Sequence, residues 1–258
     1  MSHFSDVDNS PSVARLATYL DHTDRSLSAL KAYVAATAAR VVPGGVVLDV
    51  GCGLGHDVRR LAEAGLRPVG LDTSAEMLAR AVARPLVRGD AAALPFARAS
   101  VDGVRIERTL QHVADPCAVL DEIARVVRPG GFLAVLEPDN TSARVDSTVA
   151  PDGFLLARHL RARHPGLGAT MPSLVEACGF RVDDVVTEAS TGYAFDDLPF
   201  DARMIIGRAV EEGRVDADLA QRWFDEQVAR TANGTFRARW DKVLVIATRT
   251  EAVGERLR

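Results

Sequence analysis

Three apolar segments of this chain each end in residues that could bind a nucleoside. In VLDVGCGLGHDVRRL (47–61) a buried-strand pattern runs into Gly51, Gly53 and Gly55 at alternate positions, and a helical pattern follows at once. Glycine loses more conformational entropy on folding than alanine, so three of them in one turn serve backbone freedom and the close approach of a ligand. Asp72 ends the next segment, RPVGLD, 21 residues after Gly51. A carboxylate there can accept bonds from both hydroxyls of a ribose, whereas a bare one at a buried strand tip is costly. The third segment runs LVRGDAAALPF, in which the Asp90 carboxylate and the Ala91 N–H offer an acceptor and a donor side by side, matching the edge of adenine. The spacing is G-x-G-x-G, and His56 stands where a dinucleotide turn has Gly or Ala for close helix packing. A bulky residue there argues against a pyrophosphate seated on that helix end.

The elements that hold these tips alternate along the chain. A helix is expected over Asp24–Arg40, with Leu27, Leu30, Val34 and Ala38 on one face. GVVLDV is an apolar strand, His56–Ala64 a helix stopped by Gly65, RPVGL a strand, SAEMLARAVAR a helix, and PLVRGD and VDGVRIE strands. Asp115-Pro116 starts another helix, since Asp caps free amides and Pro fits the first turn; RPGG ends it before the strand GFLAVLEP. Strands alternating with helices predict an α/β fold with a doubly wound, mostly parallel sheet. Beyond Glu137 the rhythm loosens, with a helix in PDGFLLARHLRARH, one in PSLVEACGF, and strands FRVDDVVTEAS and KVLVIATRT. The reading is one domain over 1–258. It has an N-terminal helical lid (1–42), a ligand-binding core (43–140) and lid insertions at 141–170 and 195–235.

Composition narrows the classes. The chain has 258 residues, 47% hydrophobic and 26% charged, with a formal net charge of −4, which gives no support to a nucleic-acid partner. No apolar run is long enough for a membrane span, and the polar N-terminus lacks a secretory pattern, so a cytoplasmic location is expected. Cys52, Cys117 and Cys178 are scattered without metal spacing, so no metal site is expected. All but two of the 31 basic residues are arginines, interspersed with acids as on a solvated surface.

The segments VLDVGCGLG, VGLDTSAEMLARA, GDAAALPF, VRIERTLQHVADP and ARVVRPGGFLAVLEP, in this order, resemble the successive motifs of class I S-adenosylmethionine-dependent methyltransferases. They are most similar to the small-molecule branch with the ubiquinone/menaquinone and antibiotic-tailoring enzymes. The resemblance covers Val46 to Pro138 and, more loosely, the last two strands. It implies a seven-stranded Rossmann-like sheet, S-adenosyl-L-methionine as cofactor and a small-molecule acceptor. It assigns Asp49, Gly51 and Gly53 to the methionine end, with Gly55 completing the turn. Asp72 takes the ribose, Thr73 and Met77 flank the adenine, Asp90 and Ala91 bond it, and Glu107 meets the methionine portion.

The sulfonium methyl is electrophilic without help, so transfer is an in-line displacement and a base is needed only for an acceptor that is still protonated. His112, just after the fourth strand, is the candidate base, and loop bracing is its plainer role; Glu107 is a second catalytic candidate. Arg105 would sit inside a central strand, and a salt bridge with Glu107 and a nearby acid is the expected reason. Arg108 with Glu107 would shape a polar acceptor pocket, and Tyr19 and His22 would reach the methionine carboxylate or the acceptor from the N-terminal lid. The same motifs suit a cofactor-binding cyclase or ligand-binding protein, and less well an NAD-dependent oxidoreductase. The acceptor and the oligomeric state are left open.

Overall fold

The computed structural model describes residues 8, 20, 24, 27–159, 163–198 and 201–251. Its seven strands form one sheet in the order β3-β2-β1-β4-β5-β7-β6: β1 Val46–Val50, β2 Arg67–Asp72, β3 Leu86–Arg88, β4 Val101–Glu107, β5 Val127–Val145, β6 Phe180–Gly192 and β7 Ala238–Arg249. The pairs β1–β2, β1–β4, β2–β3 and β4–β5 are parallel, and the sheet as a whole is mostly parallel with some antiparallel strands. The doubly wound α/β expectation therefore holds. The order reverses beside β1, where β2 and β4 flank it on opposite sides, and ligands of such sheets bind beyond the carboxyl ends of the strands at that point.

Contacts divide the chain into two compact units. The first comprises residues 1–137, 170–186 and 244–258. It holds helices α1 (Ser28–Val41), α2 (His56–Glu63), α3 (Ala75–Arg80) and α4 (Pro116–Val126), together with most of α6 (Leu167–Ala177). Local chemistry sets these helix starts. Ser74 Oγ accepts the Met77 N–H at 3.1 Å, and Asp115 Oδ1 accepts the N–H groups of Cys117 and Ala118 ahead of a Pro at N1. Leu27, Leu30, Val34 and Ala38 bury one face of α1 with Val47, Leu61, Phe132 and Leu244. Thus α1, expected within an N-terminal lid, is part of a hydrophobic core.

Two departures from the expected elements have simple causes. β5 begins at Val127, before the RPGG turn, because Val101 pairs with Val127 and Gly103 next with Phe132. The four residues of that turn bulge out of an otherwise continuous strand. The helix expected to begin at Pro172 begins at Leu167, where buried Leu167 and Met171 extend the apolar face past the proline.

The second unit, residues 138–169 and 187–243, contains α5 (Leu155–His159), α7 (Ala202–Glu211) and α8 (Ala217–Ala232). Most of the two expected lid insertions falls in it. It has a core of its own, with Leu156, Phe195, Ile206, Trp223, Phe236 and Trp240 packed together. The Phe195 and Trp223 rings meet edge to face at 5.9 Å.

Candidate active site

The glycine turn leaves β1 with φ of +72° at Gly51, +49° at Gly53 and +71° at Gly55, a region that favours glycine. Leu71 C=O accepts the N–H groups of both Gly51 and Cys52, at 2.7 and 3.0 Å, which draws the turn beside the end of β2. There the Asp72 carboxyl accepts from the turn itself: Gly53 N–H donates to Oδ2 at 2.8 Å and Ser74 N–H to Oδ1 at 2.9 Å. Burial pushes the Asp72 carboxyl upward against the opposing pull of these amides. Asp72 pairs in register with Arg88, so Asp90 follows just beyond the same end of the sheet. Asp90 is exposed, with Oδ1 accepting the Ala92 N–H at 2.9 Å, while Ala91 and Met77 are buried and Thr73 is exposed. The structure thus brings the three predicted tips to one edge of one sheet.

Beneath the turn lies a buried ionic cluster. Asp49 of β1 and Arg105 of β4 are cross-strand partners, and Arg105 Nη1 lies 2.6 Å from Asp49 Oδ1. Arg105 Nη2 lies 2.7 Å from Asp57 Oδ2 of α2 and also pairs with Glu107 Oε2. Lys31 of α1 reaches Asp57 at 2.6 Å, Asp24 at 3.1 Å and Glu107 at 3.3 Å, and Arg60 pairs with both Asp24 and Asp57. The expected salt bridge at Arg105 is present. Glu107, named above as a catalytic candidate, is a paired carboxylate in this cluster. Burial tends to raise Asp57, but Arg105 and Lys31 overcome it and hold it well below the usual range. For Asp49 burial outweighs Arg105, and its carboxyl is pushed up to about 6. Asp49 Oδ2 has no partner among the described residues.

The loop after β4 forms the other wall. Arg108 has φ +49°, a conformation that costs a non-glycine residue on the order of 1–2 kcal/mol. Its Nε lies 3.3 Å from Glu107 Oε1. Burial and the nearby Arg108 charge push His112 down to about 4, so its imidazole is neutral through physiological pH. Tyr19 and His22 lie outside the described residues.

Sequence reasoning passed over Glu137, at the end of β5. It is fully buried, and its Oε1 accepts the N–H groups of Thr109 and Leu110, both at 2.8 Å. Its signal was available as the acid that ends an unbroken apolar run. Burial raises its carboxyl from 4.5 to about 8, against the pull of those amides. The folded chain therefore keeps a proton that the unfolded chain releases above 4.5, so this group lowers stability as pH rises from there to about 8 and adds no slope beyond. Glu137→Gln is expected to remove that slope. Denaturant titrations of both proteins at about pH 5, 7 and 9 check it, and parallel pH dependences would contradict it.

Among the described residues no group of three His, Cys, Asp or Glu could hold a metal ion, and no helix is long and apolar enough to cross a membrane. The family described as a methyltransferase domain matches residues 48–135, from β1 into β5. An uncharacterized 37.1 kDa protein of transposon TN4556 from Streptomyces fradiae is 36% identical over 255 residues, covering 90% of this chain and 71% of that one. The demethylmenaquinone methyltransferase of Mycobacterium sp. (strain JLS) is 39% identical over 128 residues, or 49% of this chain and 56% of the relative. The match therefore spans about half the length of that enzyme. A solved structure from Bacillus halodurans superposes with a TM-score of 0.61 at 18% identity, covering 86% of this chain and 99% of that one. The glycine turn, the acid at the tip of β2 and the reversal of strand order beside β1 thus lie within or beside the matched methyltransferase domain, and the chain belongs to the class I S-adenosylmethionine-dependent methyltransferases.

Proposed function

We propose that this chain transfers a methyl group from S-adenosylmethionine to a small organic acceptor by in-line displacement. The observation that carries the reading is Asp72: a half-buried carboxyl at the tip of β2, braced by the amides of Gly53 and Ser74, with lone pairs left for a ribose diol. The residues present suit the rest of the cofactor. Gly51, Gly53 and Gly55 supply the close backbone, Asp90 and Ala91 the adenine edge, and Thr73 and Met77 its flanks. Asp49 Oδ2, buried and without a partner among the described residues, suits the cationic methionine end. When bound, the cofactor supplies a methyl carbon that is electrophilic because it sits on a sulfonium.

The chain's own residues then have to place the acceptor and keep water out. His112 is neutral and can offer the acceptor an N–H or a ring-nitrogen lone pair; with its imidazole held near 4 it is too weak a base to ionise an ordinary hydroxyl unaided. Its part is therefore to orient an acceptor that reacts as a neutral amine, an activated carbon or an already ionised oxygen. Glu107, paired with Arg105 and Lys31, positions Arg108 at the acceptor side. The menaquinone-linked relatives support a ring-like acceptor.

The test is calorimetric. S-adenosylhomocysteine is expected to bind, NAD to bind far more weakly, and Asp72→Ala to weaken S-adenosylhomocysteine at least about tenfold, or ~1.4 kcal/mol. An unaltered affinity in that variant would place the ribose elsewhere. Release of labelled methyl over a panel of small acceptors separates transfer from binding alone; binding without turnover on any acceptor would favour a non-methylating role.

A further inference from the structure

Glu137 is the one fully buried carboxyl described above that takes no part in the ionic cluster or in the proposed chemistry. Burying a carboxyl is costly, and its Oε2 has no partner among the described residues. The charged groups that act on it are Arg108 and Glu107, both at the end of β4. What offsets the cost is what Oε1 holds, namely the amides of Thr109 and Leu110.

Those amides belong to the loop that begins with the strained backbone of Arg108, whose own N–H donates to Leu136 C=O at 2.8 Å. Within the loop, the Thr109 hydroxyl donates to Glu107 C=O at 3.0 Å, which fixes its rotamer. That hydroxyl oxygen lies 2.0 Å from where a Cβ on Gly51 would stand. The glycine turn therefore rests directly on Thr109, and Thr109 hangs from Glu137. The connection from β5 to the turn runs through one carboxyl oxygen, one residue's backbone and the same residue's side chain.

We propose that Glu137 is a positioning residue for the cofactor: its buried carboxyl sets the loop after β4, and Thr109 on that loop fixes the height of the Gly51–Gly53 turn. The inference rests on the reading of that turn as the cofactor cradle. It asks for an uncharged group with an oxygen at the Oε1 position. Glutamine supplies this oxygen and fills the remaining volume with an amide NH2; alanine supplies neither.

The experiment titrates S-adenosylhomocysteine into the full chain and into Glu137→Gln, Glu137→Ala and Thr109→Ala, well below each protein's melting temperature. Glu137→Gln is expected to stay within about threefold of the parent, whereas Glu137→Ala loses about tenfold or more. Rescue by glutamine is a readout that loss of general stability would not produce. Thr109→Ala cuts the link at the turn while leaving the buried carboxyl in place, and about fivefold weaker binding is expected. It decides the matter if the Glu137 variants do not fold. The proposal is overturned if folded Glu137→Ala binds like the parent, if glutamine loses as much as alanine, or if Thr109→Ala leaves affinity unchanged. A parent chain that takes up no S-adenosylhomocysteine would instead defeat the cofactor reading itself.

Discussion

Replacing Arg105 with leucine is expected to lower the unfolding free energy by about 3–5 kcal/mol, the usual cost of removing one partner from a buried ion pair. Arg105 is 5% exposed and touches Asp49, Asp57 and Glu107. Its loss leaves Lys31 and Arg60 on Asp57 and Lys31 and Arg108 on Glu107, and leaves Asp49 with no cation in contact among the described residues. Asp49, already near 6, can take a proton at little cost, but Asp57, held far below its ordinary range, cannot. The deficit should therefore shrink when Asp49 is replaced by leucine as well. The double variant is expected to be less destabilised than the sum of the two singles by about 1–3 kcal/mol. Urea titrations with a constant m-value measure both quantities. A loss below about 1 kcal/mol for the single variant would mean that the guanidinium is hydrated rather than locked between the strands.

Gly51→Ala is expected to cost about 2–5 kcal/mol, from two separable sources. One is the backbone: at φ +72° an alanine pays on the order of 1–2 kcal/mol for the left-handed region. The other is space, since the new methyl would lie 2.0 Å from Thr109 Oγ1 and 2.9 Å from its Cγ2, and overpacking of that kind costs about 1–3 kcal/mol. Thr109→Ala removes both of these atoms and leaves a Cβ at 3.0 Å, a contact that a small shift relieves. In the Thr109→Ala background, Gly51→Ala should therefore lose the steric part of its cost and keep the conformational part. Equal costs in both backgrounds would show that backbone conformation alone requires the glycine. In either background S-adenosylhomocysteine binding should fall with the displaced turn.

Much of this was legible from residue order. The alternation of apolar runs with helical stretches specified a parallel α/β sheet, because strands covered on both faces need apolar side chains throughout and parallel neighbours need helical crossovers. Gly51, Asp72 and Asp90 could be assigned to one edge because each ends a strand, and parallel strands end together. Asp115-Pro116 marked its helix because capping is local chemistry.

Only tertiary structure decided which charges meet. Glu107 read as a candidate for chemistry and as a salt-bridge partner of Arg105, two residues away on the same strand; its pairing with Lys31 depends on α1 lying against β4, an approach no local pattern encodes. The same holds for Asp57 and Arg60, which read as ordinary polar residues on a helix but complete the buried cluster. Likewise most of the two expected lid insertions falls in a second unit, because a core such as that around Trp223 and Phe236 is assembled from residues far apart in the chain. Glu137 was missed for the converse reason. Its neighbours in sequence are apolar, and its hydrogen-bond partners lie 27 and 28 residues away. Sequence by itself determined the strands, their common edge and the glycines that bend there, since those follow from periodicity and backbone freedom. Pairing between distant side chains, and with it the ionisation of Asp49, Asp57 and Glu137, was set only when the chain packed, because burial and the approach of opposite charges are properties of the folded interior.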